Sequence, residues 1–157
     1  MIYVSIGPNC DARDVMVQQG LQTLSYPFDA VFSCLPMVQH CIETRFSVFM
    51  DREHFVYIDD PRITQTGHRV YDAMSSTVEG GPFAEGFTTF NHLKLQKTED
   101  YAKLERRTAR FLAALDGTEP VCLVYLTTTK PYDRFAQDRA QFEAFISRFP
   151  HVSIKWL

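Results

Sequence analysis

One cysteine stands where its thiol could act as a nucleophile. Cys10 follows a short apolar run, residues 2–6, and the dipeptide Gly7-Pro8, and it precedes a predicted helix. Ligands bind at the carboxyl ends of strands in α/β folds, and the free N–H groups of a helix start favour an anion. A cysteine so placed has a lowered pKa and a greater nucleophilicity, and Arg13 adds positive charge one turn later. The alternative is a small buried residue that packs behind a strand.

A nucleophilic cysteine needs a base, usually a histidine held by a third polar group. Of the five histidines, His92 is the best candidate because it lies late in the predicted strand TTFNH. The loop STVEGGPFAEG precedes that strand and is a candidate lid. For every histidine, a solvated or core-packed ring is the alternative. Asp29, in SYPFDAVFS, can supply the carboxylate that orients His92, or it can cap its own turn through backbone N–H groups.

The segment KLERRTARFL places basic residues on one face of a predicted helix. Lys103, Arg106, Arg107 and Arg110 recur there at helical spacing. Such a face is usually only solvated. Arg106 or Arg107 can instead reach an anionic substrate or pair with a buried carboxylate.

Composition narrows the classes of protein to which the chain can belong. Sixteen basic residues against 19 acidic ones give a net charge of −3, which argues against a nucleic-acid surface as the main function. No apolar run approaches the roughly 18 residues that cross a bilayer, and the N-terminus lacks the features of a signal peptide. We therefore expect a soluble, cytoplasmic protein. Its four cysteines are then thiols in a reducing compartment: Cys10, Cys34, Cys41 and Cys122.

Motifs for metals and nucleotides are missing from the sequence. There is no C-x-x-C, H-E-x-x-H or EF-hand loop, and neither G-x-G-x-x-G nor a P-loop follows the first strand. We expect no metal and no cofactor. The expected partner is a peptide or a small acyl substrate, with no nucleic acid and no membrane, and the sequence does not set the oligomeric state.

The elements that position these residues are predicted from apolar periodicity and capping residues. A strand at 2–6 leads into a helix at about 11–19, which Gly20 ends. A second helix, about 35–46, has Ser33 as its possible cap. In the irregular middle of the chain, HFVYI and HRVYD are possible strands.

The C-terminal half carries clearer signals. Thr98 can cap a helix that Gly117 ends, and VCLVYL is a continuous apolar run, typical of a strand covered on both faces. Asp133 can cap the next helix, which Pro150 stops, and VSIKWL alternates as a strand does. Strand, helix and strand in this order predict a right-handed parallel βαβ unit.

We therefore predict one α/β domain over residues 1–157, with a mixed sheet, a C-terminal parallel βαβ unit and helices on both faces. The sequence ends inside the last predicted strand, so it is either a truncated piece or a natural short form.

Three segments carry a resemblance to a known family. SIGPNCDARDVMVQQGLQTLSYPFDAVFS, then FNHL, then KLERRTARFL is similar to the pattern of the putative papain-like cysteine peptidases. That pattern is S-[LI]-G-x-x-C, a helix, G-L-R, P-F-D-W, F-x-H-D and an R-R helix before an apolar strand. The similarity reaches from the first strand to residues 121–126, being strong over 5–29, moderate over 87–112 and weak in the middle. It adds a papain-like α+β fold as the alternative architecture.

The resemblance implies Cys10 as the nucleophile, His92 as its base and Asp29 as the aspartate of P-F-D. Two positions depart from the pattern, because Ala30 replaces the tryptophan and Leu93 replaces the aspartate that follows the histidine. If that aspartate orients the histidine in the family, the site of this chain is impaired or inactive unless another residue substitutes for it.

Other polar residues could complete such a site. Asn91 or Asp29 can take the place of the missing aspartate. No glutamine stands a few residues before the cysteine, where papain-type enzymes carry an oxyanion donor, and Asn9 is the only nearby side-chain amide. Arg13 and Arg107 are further candidates for binding the substrate or the oxyanion.

Sequence and resemblance together favour a thiol hydrolase. In it, Cys10 attacks a peptide, isopeptide, amide or thioester carbonyl and His92 carries the proton. An acyltransferase with the same pair is one alternative, and a non-catalytic module that binds a partner or a small anion beside Cys10 is another. A redox-responsive protein that joins Cys10 to Cys34 or Cys41 is the third.

Overall fold

Two three-stranded sheets organise the part of the chain that the computed structural model describes, residues 1–76, 88–127 and 133–157. One sheet is parallel and the other is antiparallel, so the strand directions are mixed between the sheets rather than within one. The parallel sheet has the order β1 (Ile2–Gly7), β5 (Val121–Tyr125), β6 (Val152–Trp156). The antiparallel sheet has the order β2 (Phe55–Tyr57), β3 (Gln65–His68), β4 (Phe90–Asn91).

Five α-helices lie in the same described ranges, with short 3₁₀ turns at Pro27–Ala30 and Arg52–His54. Their ends follow from local chemistry: Pro36 occupies the first turn of the second helix, and Gly117 caps the end of the fourth. The helices are α1 (Asp11–Gln18), α2 (Leu35–Glu43), α3 (Arg69–Ser76), α4 (Thr98–Asp116) and α5 (Phe135–Ile146).

The parallel sheet is covered by helices on both faces. Alternate residues of β5 point to opposite sides. Cys122 and Val124 pack with Met16 of α1, whereas Val121 and Leu123 join the large core together with residues of α2, α4 and α5. The α5 helix connects β5 to β6, which run parallel. The predicted α/β class, the C-terminal βαβ unit and the helices on both faces are confirmed.

A cluster of phenylalanine rings joins the elements around the P-F-D turn. Phe28 of that turn lies 5.7 Å from Phe46 and 5.8 Å from Phe111 of α4, measured between ring centroids. Phe49 lies 5.3 Å from Phe46 and 5.1 Å from Phe90 of β4. Each such pair adds about 0.5–1.5 kcal/mol beyond its buried area. The rings therefore fix the P-F-D turn against both α4 and β4.

Several predicted elements differ from the observed ones. HRVYD is not a strand, because β3 ends at His68 and α3 begins at Arg69; the Asp72 carboxylate of α3 accepts a hydrogen bond from the His68 backbone N–H at 3.0 Å. The second helix ends at Glu43, earlier than predicted. The strand before His92 contains only Phe90–Asn91.

Three predicted helix caps are also displaced by one residue or more. Cys34 precedes α2, because the Ser33 hydroxyl donates instead to the Ile6 carbonyl at 2.8 Å. Lys97 precedes α4 and Arg134 precedes α5. The candidate lid lies outside the described residues, apart from its first serine.

Among the helices of the described ranges, none is both long enough and apolar enough to cross a bilayer.

Candidate active site

Cys10 lies between the carboxyl end of β1 and the first turn of α1, where it is the N-cap residue. The Cys10 carbonyl accepts the Asp14 backbone N–H at 3.1 Å, and the Asn9 side-chain Oδ1 accepts that of Asp11 at 3.1 Å. Asn9 thus caps the helix through one side-chain atom and leaves its amide NH₂ unused among the described contacts. The Cys10 side chain is partly exposed, whereas the other three cysteines are buried.

The thiol of Cys10 does not have the lowered pKa that its place at a helix start predicted. Partial burial raises its pKa above the usual value, and the carboxylates of Asp11 and Asp14 raise it further. Both acidic residues belong to the first turn of α1, where their charge offsets the attraction of the helix dipole for a thiolate. The sequence already contained this signal, in the letters CDARD.

Residues 31–33 form a short segment that contacts two parts of the chain. One is the loop between β1 and α1 that carries Cys10 (the Cys10 loop), and the other is the strand that leads to His92. On one side, the Ser33 backbone N–H donates to the Pro8 carbonyl at 2.8 Å. On the other side, the Phe32 N–H donates to the Thr89 carbonyl at 2.9 Å, and Val31 forms a bridge with Phe90. The loop that carries Cys10 and the strand that ends before His92 therefore flank the same segment.

Gly7 makes that close approach possible. Its φ is +130°, which side chains rarely permit, and a Cβ at this position would collide with Ser33 Oγ. The glycine of the S-I-G-x-x-C pattern is thus required by the packing of residues 31–33 onto the Cys10 loop.

His92 directly follows β4 and is exposed. Its φ is 59°, in the left-handed region that few residues other than glycine adopt. The next residue, Leu93, is 2 % exposed, and its carbonyl accepts the Thr66 hydroxyl at 2.8 Å. Leu93 therefore anchors the chain in the core, and an aspartate at that position would be buried. Within the described ranges, no hydrogen bond joins the His92 ring to the Cys10 thiol or to Asp29.

Asp29 is 4 % exposed and holds its own turn together. Its Oδ2 accepts the Tyr26 backbone N–H at 2.8 Å and the Gln22 side-chain NH₂ at 2.7 Å, and it lies 3.5 Å from Arg13 Nε. Burial nevertheless raises the pKa of Asp29, against these hydrogen bonds and the charges of Arg13 and Arg107. The turn-capping interpretation of Asp29 is confirmed, and its role in orienting His92 stays a prediction.

Gln22 is a buried residue of this network that the sequence did not single out. Its Oε1 accepts the Ser5 backbone N–H at 3.3 Å, and its Nε2 donates to the Leu24 carbonyl at 2.9 Å as well as to Asp29. Gln22 stands at the third position of the G-L-R motif, and that position was the available signal. Because Gln22 is neutral, the positive charges near the buried carboxylate of Asp29 come from Arg13 and Arg107.

The remaining candidate residues lie at separate places. Arg13 faces carboxylates, since its Nη1 is 3.7 Å from Asp14 and its Nε contacts Asp29. Asn91 pairs in register with Gln65 of β3 and is partly buried. Arg107 is partly buried; burial lowers its pKa, and the charge of Asp29 works in the opposite direction.

In residues 1–76, 88–127 and 133–157, no cluster of three or more histidine, cysteine, aspartate or glutamate side chains is arranged to hold a metal ion.

Comparison with known proteins places the chain in one family. Searches of curated proteins and of solved structures gave no significant match. A family model described as "Putative papain-like cysteine peptidase" matches residues 1–148. Because this match covers most of the chain, the protein belongs to the family of putative papain-like cysteine peptidases.

Proposed function

We propose that the protein is a thiol hydrolase in which Cys10 attacks a peptide, isopeptide, amide or thioester carbonyl and His92 is the general base. The observation that carries this proposal is the packing of residues 31–33, which hold the Cys10 loop on one side and the strand before His92 on the other. Membership of a cysteine peptidase family supports the same reaction type.

In the proposed reaction, the Cys10 thiol loses its proton to a ring nitrogen of His92 as sulfur bonds to the carbonyl carbon. The carbonyl π electrons move to oxygen and form a tetrahedral oxyanion. When they return, the bond to the leaving group breaks, and His92 gives that group the proton. Water then repeats the sequence on the acyl-enzyme and releases the acid.

The raised pKa of the Cys10 thiol supports one form of this mechanism over the other. A thiolate stabilised before substrate binding needs a lowered pKa, which Asp11 and Asp14 oppose. His92 therefore removes the proton during the attack rather than in advance. Its exposed position after β4 leaves room for a substrate to bring the two side chains together.

The oxyanion and the orientation of the base require further groups. The Asp11 N–H already donates to Asn9 Oδ1, but the other N–H groups at the start of α1 have no partner within the helix, and the free amide NH₂ of Asn9 adjoins them. Asn91 immediately precedes His92, and in this proposal it orients the His92 ring. Asp29 acts as a positioning residue, because it fixes the turn that leads into residues 31–33.

Turnover assays with matched variants test this proposal. The substrates are an activated thioester and a mixture of fluorogenic peptide amides. We expect Cys10→Ser to lower kcat/KM by at least about 10³-fold and His92→Gln by about 10²–10⁴-fold. His54→Gln, a change at the last residue of the 3₁₀ turn before β2, serves as the control and is expected to leave turnover unchanged. Equal turnover by wild type and Cys10→Ser would overturn the proposal.

A non-catalytic binding module is the second candidate function. It is favoured by the raised pKa of Cys10 and by the missing hydrogen bond between Cys10 and His92 in the described ranges. An absence of turnover on every substrate, with Cys10 alkylated only at high pH, would support this candidate. An acyltransferase would instead show turnover that rises when an amine acceptor is added.

A further inference from the structure

The basic face of α4 does not lie flat against solvent but lines a concavity. Lys103, Arg106, Arg107 and Arg110 recur at i, i+3, i+4 and i+7, so they share one side of the helix. Together with the loop of residues 23–25 they line a cavity of about 320 Å³ that is open to solvent. This volume is at the lower end of the range of small-molecule sites, which is about 300–1,000 Å³.

The charge in this cavity is strongly positive, although the chain as a whole is acidic. Its lining, taken over the described residues, includes four cationic side chains and no carboxylate. Asp100 lies 3.2 Å from Lys103 Nζ and offsets one of these charges. The carboxylate of Asp29, which is not among the residues that line the cavity, also offsets part of the charge of Arg107. Arg106 is exposed and has neither an ion pair nor a side-chain hydrogen bond in the described ranges.

Arg107 supplies a second, independent observation. Its Nη1 is buried and has no hydrogen-bond partner, although a guanidinium N–H normally has one. Burial and the nearby charges of Arg13 and Arg110 all disfavour its positive charge. Because this Nη1 is closed to solvent, an anion in the cavity would reach it only after a shift of the side chain, but it would offset the repulsion between the cations directly.

The number and kind of donors indicate which anion fits. Three guanidinium groups and one ammonium offer more N–H donors than the two oxygens of a carboxylate can accept. Guanidinium forks match the oxygens of a phosphoryl group, and hydroxyls of Thr23 and Ser25 lie at the rim. We propose that the cavity between α4 and residues 23–25 is a binding site for a phosphoryl group. No step of the proposed thiol chemistry uses this site, so the two proposals stand independently.

Calorimetric titration of the full chain with inorganic phosphate and with phenyl phosphate tests the proposal. Arg106→Gln is the informative variant, because its exposed side chain has no role in the described packing. We expect it to raise the Kd about tenfold, as for the loss of one charge-assisted hydrogen bond. Arg69→Gln removes the same charge from an exposed position on α3 and is expected to leave the Kd unchanged. Equal weakening by both variants would mean that only net charge matters and would overturn the site.

A third measurement tests whether the phosphoryl group belongs to a small molecule or to a lipid headgroup. Phosphatidylcholine vesicles with and without phosphatidic acid are compared in a sedimentation assay. Binding of the phosphate probes alone supports a small-molecule ligand, and additional binding to phosphatidic acid that Arg106→Gln weakens supports a lipid headgroup. Failure of all three probes to bind the folded wild-type chain would overturn the proposal. Because no arm depends on Cys10, this failure would leave the proposed hydrolase untouched.

Discussion

Cys10 and Asp29 both contact the start of α1, yet their surroundings differ sharply. Cys10 is the partly exposed N-cap residue of that helix, and His92 after β4 is likewise exposed. Asp29 is buried, with two hydrogen bonds to one of its oxygens and Arg13 of α1 at 3.5 Å. The proposed site therefore has an open half, Cys10 and His92, and a buried half, Asp29 with Gln22.

This difference indicates that the buried half supports the fold, whereas the open half is available for the proposed chemistry. The buried half fixes the turn before residues 31–33, because its hydrogen bonds form as the chain folds. The open half is left with few partners, as groups that must meet a substrate require. Residues 31–33 directly follow the Asp29 turn and hold both parts of the open half, since Ser33 bonds to the Cys10 loop and Phe32 to the strand before His92.

Replacing Gly7 is expected to break the packing of the Cys10 loop on residues 31–33. In Gly7→Ala the new Cβ collides with Ser33 Oγ at a φ of +130°, so strain and overpacking act together. We expect the free energy of unfolding to fall by about 3–5 kcal/mol, measured by urea denaturation. Gly20→Ala is the control: Gly20 also has a positive φ, 68°, but nothing lies within 4 Å of a Cβ there, so only about 1–2 kcal/mol is lost. An equal loss in both variants would show that the close approach to Ser33 is unimportant.

Removing the carboxylate of Asp29 is expected to weaken the buried half alone. Asp29→Ala leaves the Tyr26 N–H and the Gln22 amide without their acceptor and Arg107 without its nearby anion. We expect a loss of about 2–3 kcal/mol in the free energy of unfolding. Asp116→Ala, which breaks an exposed ion pair with Arg45, is the matched control and should change stability little. If Asp29→Ala matched that control, the buried network would not support the turn.

The pH dependence of the free energy of unfolding gives a second test of how Asp29 contributes to the buried half. Because burial raises the pKa of Asp29 above its unfolded value, the folded state binds a proton more readily than the unfolded chain. The contribution of Asp29 to stability is therefore largest below its unfolded pKa and is lost as the pH rises through its folded pKa. We expect the Asp29→Asn variant to lose this part of the pH dependence in urea titrations across the acidic range. An unchanged profile would assign it to other groups.

Neutralising the first turn of α1 is expected to have the smallest effect, confined to the open half. The carboxylates of Asp11 and Asp14 raise the pKa of the Cys10 thiol, so the double variant Asp11→Asn, Asp14→Asn should lower it. The rate of alkylation by iodoacetamide against pH measures this pKa, with the labelled cysteine located by peptide mass. Glu105→Gln, an exposed change on α4, is the control and should leave the curve in place. A curve that moves equally in both variants would reflect net charge only.

Periodicity was sufficient to predict most of the fold. The apolar run at Val121–Tyr125 and the alternation at Val152–Trp156 gave β5, β6 and the α/β class. Local pattern failed in the middle of the chain, where the Asp72 carboxylate binds the His68 N–H and Thr89 and thereby sets the start of α3. The contact of Asp72 with Thr89 spans 17 residues and therefore leaves no local sequence signal.

The candidate site was less accessible to sequence reasoning. The place of Cys10 between β1 and α1 followed from its position after an apolar run. The direction of its pKa shift did not, because the dipole argument omitted the partial burial of the thiol and the charges of Asp11 and Asp14 beside it. The partnership of Gln22 with Asp29 depends on a turn whose shape only the folded chain defines.

Trapping an acyl group on Cys10 tests the central claim most directly. Wild type, His92→Gln and His54→Gln are mixed with p-nitrophenyl acetate and quenched in acid, and the acetylated residue is located by peptide mass. The proposed mechanism predicts one acetyl group per wild-type chain, on Cys10, with a matching burst of p-nitrophenolate. It predicts the same for His54→Gln and strongly slowed acylation for His92→Gln. A Cys10 that reacts no faster than a free thiol, equally in all three folded proteins, would contradict it.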